Sequence, residues 1–166
     1  MSNALELLEK VRSAWAAVDA PPPEDMKHLE WIAGRQSAEA FTGIRPTDVD
    51  IESSGFQAAT PLLELPARAA AAYLGTYLIS LLYGLNIQAN VGFPTDISTR
   101  SHTIATLLAS NFWTDIAGPN LPSECLEVLG EVTEFLIANR GPLTLEDDEV
   151  ARLQRVIRSI NRQLGS

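Results

Sequence analysis

Apolar residues recur every three or four positions through most of this chain, and prolines and glycines interrupt the recurrence. That is the pattern of amphipathic helices joined by turns. Asn3 suits the N-cap of a first helix whose Leu8, Val11, Trp15 and Val18 share a face, and Pro21-Pro22-Pro23 makes a stiff break after it. A second helix is expected from Glu24 and Asp25, which suit the positive end of its dipole. Leu29, Ile32 and Ala33 take its core side, and it extends through Ala38 to Phe41, with Gly34 weakening the extension. Residues 43–60 carry Pro46, Gly55, several acidic residues and serines, hold neither period for long, and read as a surface loop.

Pro66 suits the first turn of a central helix that Gly84 would end. Its Ala69, Ala70, Ala71, Ala72, Leu74, Leu78, Ile79, Leu81 and Leu82 go nearly all round, as a helix packed on several sides requires. A polar connection over residues 86–94 then leads to a helix over about residues 98–112, offering Ile104, Leu107, Leu108 and Phe112 to the core. After a turn at Gly118-Pro119-Asn120, Ser123 can cap a helix running to about Asn139, and Gly141-Pro142 stops it. Thr144 and Asp147 have capping-box spacing and open a last helix with Val150, Leu153, Ile157, Ile160 and Leu164 on one side.

These elements predict an all-α fold: residues 1–166 as a single-domain bundle of about five or six helices around a central apolar helix. An α+β alternative stays open. Val49 and Ile51 alternate with Asp48, Asp50 and Glu52, as Ile87, Ala89 and Val91 do with their neighbours, which would suit one short two-stranded element.

Composition narrows the function classes. The formal net charge of −9 and pI near 4.6 argue against direct nucleic-acid binding, since a duplex presents about one negative charge per 1.7 Å, and against anionic lipid as well. Acidic residues interrupt the apolar ones among the first nine positions, so no secretory leader is indicated. The greasiest stretch, residues 69–85, is shorter than the roughly 20 apolar residues of a membrane span and reads as a buried core helix. The lone Cys125 lies on an apolar helix side and reads as a buried, inert thiol, consistent with a reducing cytoplasm.

Candidate chemistry is sparse. Asp25 and His28 have the spacing of half a dinuclear metal site, but no second such pair exists, so no metal or cofactor is expected. Ser101-His102 is the one Ser/His proximity, and adjacent helical residues point about 100° apart, so no catalytic pair is expected there. The segment 86–102, rich in Asn86, Gln88, Asn90, Thr95, Asp96, Arg100 and His102, offers the mouth of a small-molecule pocket, with Tyr73 and Tyr77 one turn apart beside it. The plainer reading is a polar loop and two tyrosines with their rings in the core.

Glu124, Glu127, Glu131 and Glu134 form one ridge at intervals of three and four, and no Lys or Arg interrupts it. A solvated helix face is the ordinary explanation, and docking to a basic partner is the functional one. Arg152, Arg155, Arg158 and Arg162 line the polar side of the last helix. If the two stripes meet along one rim they neutralise each other, leaving Glu146, Asp147, Asp148 and Glu149, or the Asp48 to Glu52 loop, as the more negative surface.

Leu65-Pro66, Ala72-Tyr73-Leu74 with Tyr77-Leu78, a polar connection and a late Phe135-Leu136 helix together resemble small bacterial immunity proteins encoded beside toxins. Gly75 departs from the more rigid residue expected in that helix. The resemblance implies a cytoplasmic protein that binds a toxin domain, often a basic nuclease, and covers its active site. The expectation is therefore a non-enzymatic acidic binding protein, with Glu124, Glu127, Glu131, Glu134, Asp147 and Asp148 facing a basic partner. The alternatives are a small-molecule or enzymatic domain using Tyr73, Tyr77, Arg100 and His102, and a self-associating subunit.

Overall fold

A computed structural model describes residues 3–57, 62–91, 108, 113 and 118–165. Among these the fold is all-α, with no strand, and its long helices are α1 (Ala4–Trp15), α6 (Ala67–Val91), α7 (Ser123–Ala138) and α8 (Asp147–Gly165). Short helices α2 (Pro23–Met26), α3 (Leu29–Ala33), α4 (Arg35–Phe41) and α5 (Ser54–Gln57) fill the segment between α1 and α6. One contiguous apolar core runs from Ala4 to Ile160. Helix α1 packs along α6, while α7 packs on both α1 and α8.

Helix α1 starts where Asn3 Oδ1 accepts a hydrogen bond from the Glu6 amide at 2.9 Å, satisfying one of the amides that a helix start leaves without a partner. Its buried stripe is Ala4, Leu7, Leu8, Val11 and Trp15. Val18 lies past the helix end and is only half-buried, its amide turning back to the Trp15 carbonyl.

The continuous helix expected from Glu24 to Phe41 is three short ones. Pro23 opens α2, and Gly34, at φ 91°, separates α3 from α4 in a conformation that side-chain-bearing residues rarely adopt. Leu29 is buried and Ile32 half-buried, as expected, while Trp31 points to solvent with 89% of its surface exposed.

The expected surface loop over 43–60 is instead part of the packing as far as it is described. Val49, Gly55 and Phe56 are buried, and residues 54–57 are helical. Hydroxyls hold this layer down: Thr76 Oγ1 donates to the Pro46 carbonyl at 2.6 Å, and Ser37 Oγ to the Gly55 carbonyl at 2.7 Å. Ile51 lies in a turn in which Asp50 Oδ1 accepts from the Glu52 amide, and residues 87–91 are helical. The two-stranded alternative is thereby corrected.

Helix α6 runs on through Gly84 to Val91, so the polar connection expected from residue 86 begins as helix. The apolar residues around Gly84 outweigh its roughly 1 kcal/mol helix penalty: Leu81, Leu82 and Leu85 are buried on either side of it. At 25 residues the helix is longer than the sequence suggests, and residues 67–87 are long and apolar enough to cross a membrane. Yet 83% of its most apolar window is buried inside the fold, as in a core helix. Gly75 gives α1 its close approach, because a Cβ there would lie 2.4 Å from Cγ and Cδ1 of Trp15. Of the helix expected over 98–112, Leu108 is helical and buried; Ile104, Leu107 and Phe112 lie outside the described residues.

Two capping expectations shift. Pro122, not Ser123, holds the N-cap position of α7, and its carbonyl accepts the Leu126 amide. At α8 one arm of such a box forms two residues later than Thr144, where Glu149 Oε2 accepts from the Glu146 amide at 2.8 Å. On the core side of α8, Val156 is buried and Ile157 only half so. Thr144 sits at φ 54°, a left-handed conformation that costs a β-branched residue more than glycine. Its side chain is exposed. Thr144→Gly is therefore expected to stabilise the fold by about 0.5–1 kcal/mol, read as a higher urea midpoint with an unchanged slope.

Candidate docking groove

The ridge on α7 borders α1, where the two helices approach closely enough for the Cys125 thiol to meet the Ala14 carbonyl at 3.4 Å. Cys125 is fully buried, and burial, reinforced by the neighbouring Glu124 charge, pushes its pKa up to about 11. It is a protonated, packed thiol at neutral pH.

Outside that contact the helices diverge into a groove of about 430 Å³ lined by Glu9, Lys10, Ser13, Ala14, Glu124, Glu127 and Val128. Ala14 and Val128 are half-buried apolar residues, and Glu9, Glu124 and Glu127 are exposed. Three carboxylates thus face one ammonium, and Lys10 Nζ is already engaged at 2.6 Å by Glu131 Oε2. The apolar surface carries an acidic rim.

The ridge is thereby divided. Glu131 is half-buried and paired across to α1, whereas Glu124, Glu127 and Glu134 are exposed and make no ion pair among the described residues. Glu131 turns toward α1, and Glu124, Glu127 and Glu134 form no ion pair with Arg152, Arg155 or Arg158 among the described residues. Arg152 pairs along its own helix with Asp148 at 3.7 Å, and Arg140 with Asp147. Asp147 and Asp148 therefore lie at the start of α8 in local pairs, away from the groove lining. Sequence periodicity finds the α7 half of this groove and misses Glu9, Lys10, Ser13 and Ala14. A signal was present: Lys10 adjoins the core residue Val11, so it flanks whatever α1 packs against.

Of the alternative pocket, only the two tyrosines fall among the described residues. Tyr73 and Tyr77 are fully buried in a ring cluster with Phe41 and Phe56, at centroid distances of 4.9–6.1 Å. The Tyr73 hydroxyl lies 2.5 Å from the carbonyl of Phe41, the last residue of α4, and 2.9 Å from that of Ile44 beyond it, sharing its one proton between them, and burial raises its pKa. Arg100 and His102, with Ser101, Thr95 and Asp96, lie outside the described residues. Asp25 serves an ion pair: its carboxylate takes the Arg68 guanidinium bidentately, with Nε at 2.5 Å and Nη2 at 3.0 Å, while His28 is exposed. That hydrogen bond and the Asp25 charge raise the Arg68 pKa. Among the described residues no cluster of three or more His, Cys, Asp or Glu suits a metal ion. No family model, no curated protein sequence and no solved structure matches this chain.

Proposed function

We propose that this chain is a non-enzymatic acidic binding protein of the bacterial cytoplasm, an immunity protein or inhibitor that occludes a basic toxin or nuclease domain. The observation that supports the reading is the α1/α7 groove, with its apolar floor and a rim of Glu9, Glu124 and Glu127 that no described cation neutralises. Such a surface offers an apolar centre for desolvation and carboxylates where a nuclease would otherwise hold phosphates. Lysines or arginines of the partner would meet Glu124 and Glu127, with Glu134 extending the field along α7. The inhibition is steric, so the chain itself needs no reacting group.

Co-expression with the product of the adjacent gene, followed by a salt titration, tests the reading. Raising ionic strength from about 0.05 to 0.5 M shortens the screening length severalfold, so association is expected to slow steeply while the slower dissociation changes little. An affinity indifferent to salt would exclude electrostatic docking.

A further inference from the structure

A second concavity lies on the opposite flank of α1, between α6 and the turn before α5, with a volume of about 250 Å³. It is smaller than the roughly 300–1,000 Å³ of sites for drug-sized ligands, a size for a small metabolite. Val49 and Ile79, 7% and 4% exposed, give it an apolar floor. Its walls carry both signs of charge: Arg12 from α1, and Asp50 and Glu52 from the turn. Arg12 makes no hydrogen bond or ion pair among the described residues, although two carboxylates line the same concavity. Glu52 is held in place instead by Tyr83, whose hydroxyl donates to Glu52 Oε1 at 3.1 Å, and this hydrogen bond raises the Tyr83 pKa. Asp50 is fixed by the Glu52 amide, which donates to its Oδ1 at 3.0 Å.

The guanidinium and the two carboxylates line one concavity without pairing with one another, separated by an apolar floor, so both charges are available to a ligand that carries both signs. We infer that this concavity binds a free α-amino acid with an apolar side chain, its carboxylate on Arg12, its ammonium on Glu52 and Asp50, and its side chain over Val49 and Ile79. A dicarboxylate would be repelled by the turn and a diamine by Arg12. A nucleotide would exceed the volume and bring several negative charges to two carboxylates. The inference is independent of the docking groove, which lies on the other side of α1 and shares no residue with this concavity.

L-leucine, N-acetyl-L-leucine and L-leucinamide, titrated into the intact protein and followed by methyl resonances of Val49 and Ile79, separate the two charge contacts without altering the fold. Leucine is expected to shift those resonances saturably. Each blocked analogue should bind at least about tenfold more weakly, as loss of one charge-assisted hydrogen bond implies. Arg12→Gln, at an exposed position, should weaken leucine to a similar degree and leave leucinamide, which has no carboxylate, unaffected. No saturable shift with leucine, or equal binding of all three compounds, would overturn the assignment.

Discussion

Trp15→Ala is expected to remove about 3–5 kcal/mol of stability, the range for deleting a large aromatic side chain from a packed core. Trp15 is 0% exposed, closes the buried stripe of α1, and lies directly against α6 at Gly75. Its indole N–H reaches the Ala71 carbonyl at 3.4 Å, a long contact, so packing rather than hydrogen bonding carries the effect. Helix backbones on both sides hold the site open, and the cavity left by truncation cannot collapse far. Against a total of about 5–15 kcal/mol for an ordinary domain, the variant keeps little margin. Urea unfolding measures it, and a loss under about 1 kcal/mol would show that α1 does not depend on this contact.

Gly75→Ala is expected to destabilise by about 2 kcal/mol, against the helix-propensity trend. In an ordinary helix interior the change would add about 1 kcal/mol. Here the new methyl would stand 2.4 Å from two ring carbons of Trp15, whose rigid, fully buried indole has no flexible end to move aside. The sign should therefore reverse once the ring is gone: in a Trp15→Ala background, Gly75→Ala should stabilise by up to about 1 kcal/mol. Double-mutant urea curves read that reversal directly. Equal effects in both backgrounds would mean that the two residues do not touch.

Much of the architecture is legible in the sequence because burial imposes period on it. Leu8, Val11 and Trp15 on α1, the all-round apolar surface of α6, and Val150, Leu153 and Ile160 on α8 all declare their faces by spacing. Punctuation is less reliable. Gly34 divides a helix while Gly84 does not, since the second is flanked by buried leucines and the first is not. Gly75 reads as a departure from a rigid helix until Trp15, sixty residues earlier in the chain, is placed against it. The 43–60 segment looks like a loop because its hydrogen-bond partners, Thr76, Tyr73 and Ser37, are remote in sequence. For the same reason the glutamate ridge was visible, but not its division: the pairing of Glu131 with Lys10 spans 121 positions.

That division makes the central claim specific to one place on the surface. Glu124 and Glu127 edge the α1/α7 groove, whereas Asp147 and Asp148, equally acidic and exposed, sit in local pairs at the start of α8. The direct measurement is the association rate with the protein encoded beside this one for two charge-reversed variants, Glu124→Lys with Glu127→Lys and Asp147→Lys with Asp148→Lys. Circular dichroism should show both folded. The groove variant is expected to associate about tenfold more slowly or worse, and the α8 variant within about twofold of the unaltered chain. A groove variant that associates normally, or an α8 variant that is the slower of the two, would contradict the account.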